Sequence, residues 1–68
     1  MDRQTRTETR WQVQESFAGG AWTEVGPAVT HKPMATDQQA MYRALADARG
    51  EQRLTEFRIV PLSFEVKV

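Results

Sequence analysis

The sequence predicts a small α+β domain, in which an antiparallel β-sheet of four to five strands carries one α-helix on one face, in the order β-β-(β)-α-β-β. Two observations predict this class. Apolar and polar residues alternate with period two near both ends of the chain, and one segment between them has apolar residues at helical spacing. The chain has 68 residues, enough for one hydrophobic core. We therefore expect a single domain over residues 11–68.

Residues 1–10 are polar and charged. Arg3, Arg6 and Arg10 are interleaved with threonines and carboxylates, and no apolar residue follows Met1 in this segment. Because such a segment has no apolar surface to bury, we expect a flexible N-terminal arm.

The first hairpin is predicted from alternation and a glycine pair. Residues 11–17 read as a strand whose apolar side chains are Trp11, Val13 and Phe17, and whose intervening polar side chains are Gln12, Gln14 and Ser16. Gly19-Gly20 suits a tight turn, since glycine adopts positive φ without strain. Residues 21–25 would then return as the second strand.

Gly26-Pro27 is predicted to end the second strand, because proline lacks the N–H that a sheet needs. Residues 28–32 could form a short third strand, and Pro33 would close it.

One helix is predicted over residues 36–49. Thr36 and Gln39 have the spacing of a capping box at its start, and Gly50 is a natural stop after its last residue. Its apolar stripe, which we expect to face the sheet, consists of Ala40, Met41, Ala44, Leu45 and Ala48.

Two more strands are predicted after the helix. Residues 54–62 read as the central strand, although Pro61 limits pairing there. Residues 63–68 alternate cleanly, with Phe64, Val66 and Val68 on one side. This last strand either completes the sheet internally or offers an edge to a partner or to a second copy. The predicted core consists of Trp11, Val13, Phe17, Val25, Met41, Leu45, Phe57, Ile59 and Leu62.

Composition excludes several function classes. There is no cysteine and one histidine, His31, so thiol catalysis and the usual zinc sites are not expected. The serines lie in no nucleophile motif, the carboxylates are dispersed, and Gly19-Gly20 lacks the lysine of a phosphate loop. We expect no enzyme activity, no cofactor and no metal. The start of the chain lacks the apolar core of a signal peptide and no apolar run could span a membrane, which favours a soluble cytoplasmic protein.

Three features point instead to binding. Trp22 shares its face of the predicted strand with Glu24, so it is a candidate aromatic anchor, although core packing is the commoner role of tryptophan in a small domain. Arginines outnumber lysines seven to two, and Arg58 lies on a late strand among them. The C-terminal edge contributes Phe64, Val66 and Val68. These five residues are the predicted partner-binding site.

Nucleic-acid binding is the alternative. Arg3, Arg6 and Arg10 could contact phosphates, but the nine basic residues are balanced by nine acidic ones. Arginine is also enriched at protein interfaces and on ordinary solvated surfaces, so the bias alone does not choose a partner.

The pattern Trp11-x-Val13, Gly19-Gly20-x-Trp22, the alanine-containing helix and the run from Phe57 to Pro61 resembles small bacteriophage and prophage accessory proteins. The resemblance implies a host-directed protein, such as an inhibitor of a defence or transcription complex. The chain also resembles the arm-binding N-terminal domain of phage integrases. It departs from that domain where basic residues are expected along the sheet, since these positions are Gln12, Gln14, Thr23 and Glu24.

The predicted function is a non-enzymatic protein-binding module, encoded by a phage or mobile element, that occupies a surface on a larger host complex. Two alternatives stay open. One is a nucleic-acid-binding module that uses the arm and the sheet, and the other is a homodimer or larger assembly joined through the C-terminal strand.

Overall fold

A computed structural model describes residues 4–67 of the chain. It is an α+β fold with one antiparallel sheet of three strands, in the spatial order β2-β1-β3, and one helix. The elements are β1 (Thr5–Phe17), β2 (Thr23–Val29), α1 (Lys32–Ala48) and β3 (Thr55–Lys67). The predicted class and the single helix on one face of the sheet are confirmed.

The predicted four to five strands and their order are wrong. The two late strands are one continuous strand, β3, which pairs with β1 along its whole length from Thr5↔Lys67 to Phe17↔Thr55. The central strand is β1, because it pairs with β2 on one side and β3 on the other. Pro61 does not interrupt β3, since β3 lies at an edge of the sheet, where a missing N–H is tolerated.

The N-terminal segment expected to be a flexible arm contributes to β1 from Thr5 onward. Residues 5–10 pair with residues 62–67, while β2 joins β1 only from Trp11. These two paired segments, called the ribbon below, are therefore two strands wide. The ribbon accounts for the elongated shape of the molecule, which measures 57 × 22 × 12 Å.

A bulge in β2 replaces the predicted third strand. Trp11 pairs with Val29 and Val13 with Val25, so three residues of β2 lie opposite Gln12 alone. Gly26-Pro27 therefore does not end the strand, because the bulge takes this pair out of the regular ladder.

The Gln12 side chain fills this bulge. It is only 3% exposed, and its amide nitrogen donates to the carbonyl oxygens of Val13 at 3.1 Å, Val25 at 3.2 Å and Gly26 at 3.0 Å. The alternation of β1 predicted a solvent-facing residue here. Gln12 is instead buried because the bulge exposes carbonyls that need a donor. Ser16 is buried for a similar reason, since its hydroxyl donates to the Gly20 carbonyl at 2.7 Å.

Gly26 also brings the helix close to the sheet. Its φ is +70°, and a Cβ atom at this position would lie 2.5 Å from the hydroxyl oxygen of Tyr42 on α1. Glycine favours this positive φ, and any side chain here would force the end of the Tyr42 side chain to move. The bulge and the docking of α1 are thus coupled at one glycine.

The helix begins earlier than predicted. Its N-cap is His31, which makes no side-chain capping bond, and Pro33 occupies the first turn rather than closing a strand. Proline suits this position because the first-turn N–H groups have no helical partner. The predicted Thr36 cap is wrong: the Thr36 hydroxyl lies inside the helix and donates to the Lys32 carbonyl.

The predicted end of the helix is confirmed. Gly50 has a φ of +73° and follows the C-cap residue Arg49. The amide of Gly50 donates to the Asp47 carbonyl and that of Glu51 donates to the Ala46 carbonyl, which together form a Schellman motif.

The predicted helix stripe and part of the predicted core are wrong. The buried helix residues are Ala35 and Ala46, with Tyr42 packed between them, while Met41 is 51% and Leu45 43% exposed. Small residues face the sheet because α1 packs close to it. Phe17, also expected in the core, is 47% exposed. The core cluster is Val13, Val29 and Ala35, packed against Trp11, Val25, Tyr42, Phe57 and Ile59.

We predict that Gln12→Ala lowers the free energy of unfolding by about 1–3 kcal/mol, because it leaves the bulge carbonyls without their donor. Gln14→Ala is the matched control, since Gln14 lies on the same side of β1 and only accepts a bond from Arg58. Urea unfolding at one fixed protein concentration measures both. Equal losses in the two variants would contradict the bracing role of Gln12.

We also predict that Gly26→Ala destabilises the fold more than Gly19→Ala. Both glycines have positive φ, at +70° and +74°, but a Cβ at Gly19 meets nothing within 4 Å. Each variant carries a backbone cost of about 1 kcal/mol, and Gly26→Ala adds an overpacking cost of roughly 1–3 kcal/mol. In a Tyr42→Phe background the difference should shrink, and an unchanged difference would count against the glycine–tyrosine contact.

Candidate protein-binding surface

The sheet face opposite α1, called the rear face below, is formed by the even-numbered residues of β1 and β3 and by Glu24 of β2, which pairs with Gln14. Val13 lies on the other face, beneath the helix. Because side chains alternate along a strand, its neighbours Gln12 and Gln14 belong to the rear face together with their partners Val60 and Arg58. No helix or strand among the described residues packs on this face.

An apolar row follows β3 along the rear face. Val60, Leu62, Phe64 and Val66 are consecutive even-numbered residues, and Phe64 is 43% exposed. The other three are half-buried. In the ribbon this row lies beside Arg6, Glu8 and Arg10 of β1. The rear face of the ribbon is therefore apolar along one strand and charged along the other.

The opposite face of the ribbon is different. It carries Thr5, Thr7 and Thr9 opposite Lys67, Glu65 and Ser63. The ribbon is thus two-sided, with apolar side chains only toward the rear.

Trp22 and Arg58, both predicted as partner-binding residues, are brought together at the other end of the rear face. The guanidinium carbon of Arg58 lies 4.3 Å from the centre of the Trp22 ring. The Arg58 Nε donates to the Gln14 side-chain oxygen at 2.7 Å. The hydrogen bond and the cation–π contact orient Arg58 from two directions. Trp22 is half-buried and Arg58 is exposed. The pair is therefore accessible to a partner, while its two contacts restrict the Arg58 side chain.

Phe64 and Val66, the other predicted partner-binding residues within the described chain, lie on the same face as Trp22 and Arg58. Arg10 covers the Phe64 ring, with its guanidinium carbon 5.4 Å from the ring centre. This contact repeats the arginine–aromatic pairing at the opposite end of the rear face. Val68 lies outside the described residues.

Arg6 and Arg10, the described arginines among those considered for nucleic-acid binding, do not form a basic cluster. Arg6 makes an ion pair with Glu8 at 2.9 Å, and Arg10 is placed over Phe64. Arg3 lies outside the described residues. Along the described rear face three arginines (Arg6, Arg10 and Arg58) are balanced by three glutamates (Glu8, Glu24 and Glu56).

Sequence reasoning missed Val60 and Leu62 as surface residues, because it divided β3 in two at Pro61 and assigned Leu62 to the core. An uninterrupted period-two reading from Ile59 onward places Val60, Leu62, Phe64 and Val66 on one side. The alternation was therefore a sufficient signal, and the assumption that proline ends a strand concealed it.

Among residues 4–67 no group of three His, Cys, Asp or Glu side chains could hold a metal ion, and α1 is not long and apolar enough to cross a membrane. Beside Trp22 an open groove is lined by Arg43, Asp47, Thr55, Glu56 and Phe57. Comparisons of the chain with protein-family models, with curated proteins and with solved structures found no match.

Proposed function

We propose that the protein is a non-enzymatic protein-binding module and that the rear face of its sheet is the partner-binding surface. The observation that supports this most is the uncovered apolar row of β3, which has the Trp22–Arg58 pair at one end and includes the Phe64 ring beneath Arg10. Apolar rows bordered by charged residues are typical of protein interfaces.

The two arginine–aromatic pairs give the surface its expected anchors. Tryptophan and arginine are the residue types most enriched among interface hot spots, because they offer large contact area and several donors. In Trp22–Arg58 both are already oriented before binding, since Arg58 is held by Gln14. Less conformational entropy is then lost when a partner covers the pair.

The ribbon supports the same proposal. A two-stranded ribbon is marginally stable in water by itself, yet this one exposes Phe64 and partly exposes Leu62 and Val66. A protein partner that covered the apolar row would stabilise the ribbon and would itself be bound.

A nucleic-acid partner is less suited to this surface. Phosphate binding needs uncompensated positive charge, whereas the rear face carries as many glutamates as arginines and Arg6 is already paired with Glu8. Following the resemblance to phage accessory proteins, we propose a component of a larger host complex as the partner.

We predict that Trp22→Ala and Phe64→Ala each weaken partner binding by roughly 30-fold or more, the effect of a hot-spot truncation. The matched controls are Thr23→Ala and Glu65→Ala, which change the next residue on the opposite face and should bind like the wild type. Nuclease-treated extracts of the source cells supply the partner by affinity capture, and titration of the captured protein gives the affinities.

Two outcomes would contradict the proposal. Either the rear-face variants capture the same proteins with unchanged affinity, or nuclease treatment abolishes capture. Circular dichroism of all four variants ensures that a loss of binding is not a loss of folding.

We further predict that the protein binds a mixed-sequence DNA duplex of 20 base pairs no more tightly than a nonspecific Kd of about 10⁻⁴ M, with little dependence on salt. Arg6→Ala with Arg10→Ala should leave this weak binding unchanged. Fluorescence anisotropy measures the affinity for the duplex between 50 and 200 mM salt. This range separates phosphate contacts from other contacts. A slope of log affinity against log salt steeper than about −2, which corresponds to two or more neutralised phosphates, would favour the nucleic-acid alternative instead.

A further inference from the structure

The helix α1 has two apolar stripes, and only one of them faces its own sheet. Ala35, Tyr42 and Ala46 pack inward. The residue before each of them is also apolar: Met34 is 50%, Met41 51% and Leu45 43% exposed. Since both stripes have the spacing i, i+7, i+11, the second runs the length of the helix about 100° around its axis from the first.

The outward stripe continues onto neighbouring elements. Leu45 and Phe17 line one groove between α1 and the end of β1. Leu54 lies beside that strand end, because its carbonyl oxygen accepts a bond from the Ala18 amide at 2.7 Å. Phe17 is 47% and Leu54 50% exposed. Four of the six large exposed apolar side chains of the described chain thus lie on this side, called the outer helix surface below: Phe17, Met34, Met41 and Leu45.

From this arrangement we infer that the outer helix surface is covered by a second copy of the chain, in a two-fold symmetric dimer joined through α1. These side chains expose on the order of 400 Å² of apolar area, about the size of the largest apolar patch on a typical monomer, and such patches are often functional. A standard interface buries about 800 Å² on each partner. The stripe would supply the centre of such an interface and the adjoining residues its rim.

The small core explains why this cover is needed whenever the chain folds. Only four apolar residues are buried within the described chain, namely Val13, Val29, Ala35 and Ala46, and two of them are alanines. A chain of 68 residues without cysteine has no disulfide to offset a weak core. A second copy of the chain is always present when the chain folds, so it can cover the outer helix surface at that stage. The rear face is left to bind a different protein later.

The charges beside the outward stripe are compatible with antiparallel helices. The stripe has one charged residue on each side: Asp37, near Ala44 and Ala48, and Arg49, which lines the same groove as Leu45. Lys32, Arg43 and Asp47 lie on the remaining side of the helix by their spacing. In an antiparallel pair centred on Met41, the two Asp37 residues are separated by roughly 12 Å along the helix axis, at 1.5 Å per residue. Met34 of one copy then lies opposite the small Ala48 of the other.

This dimer leaves both rear faces free. Because the outer helix surface lies about 100° around α1 from the stripe that faces the sheet, the second copy would pack beside α1 on the helix side of the sheet, and neither rear face would be covered. The assembly would present two partner-binding surfaces.

The test is the molar mass of the full chain, measured by size-exclusion chromatography with light scattering from 1 to 100 μM, a range around the micromolar affinities of weak dimers. We expect twice the chain mass of 7.8 kDa, and a melting temperature that rises with protein concentration. A constant mass of 7.8 kDa over this range would overturn the inference.

A second measurement, chemical cross-linking, locates the interface even if the charged variant Met41→Asp fails to fold. Because the chain has no cysteine, Met41→Cys introduces a single thiol near the expected two-fold axis. It should form covalent dimers with a short bismaleimide cross-linker, whereas Arg43→Cys, on the polar side of α1, and Phe64→Cys, on the rear face, should not. Cross-linking of either control variant in preference to Met41→Cys would contradict an interface through α1. A Met41→Asp variant that still has the molar mass of a dimer would contradict it as well.

Discussion

The buried amide of Gln12 is the contact on which the rest of the fold depends. It satisfies carbonyls on both strands at the place where β2 departs from regular pairing. Without this donor the bulge would leave buried acceptors unpaired, which is more costly than a lost surface hydrogen bond. With it, Gly26 is held where the Tyr42 ring can approach the backbone. The Gln12 hydrogen bonds and the approach of α1 at Tyr42 therefore meet at the same bulge.

The parts of the fold that could be predicted were those encoded by local chemistry. Alternation identified strands, and Gly50 marked the helix end because only its positive φ completes the Schellman motif. Pro27 and Pro33 led to wrong predictions, because each was taken to end a strand. Pro27 lies instead in the bulge of β2, and Pro33 lies in the first turn of α1. Gln12 had no local signal at all: its burial depends on carbonyls of β2 that are 13 and 14 residues away in the chain.

The helix stripe failed for a different reason. Hydrophobicity selects the largest apolar residues, Met41 and Leu45, as the buried side, but close packing against a sheet favours small ones such as Ala35 and Ala46. Within the candidate site, Trp22 and Arg58 were predicted separately as partner-binding residues. Their contact could not be predicted, because it depends on the register of all three strands. The apolar side chains that the helix does not bury are what suggests a second copy of the chain.

We propose that two separate surfaces have different occupants: a second copy covers the outer helix surface, and the rear face is open to a partner. The most direct measurement is NMR paramagnetic relaxation enhancement. It is recorded for the side-chain protons of the isolated protein in the presence of a soluble paramagnetic agent. The predicted result is weak relaxation of Met34, Met41 and Leu45, despite their exposure in the single chain, and strong relaxation of Phe64 and Val66. Equally strong relaxation of the helix methyl groups and of Phe64 would contradict the claim.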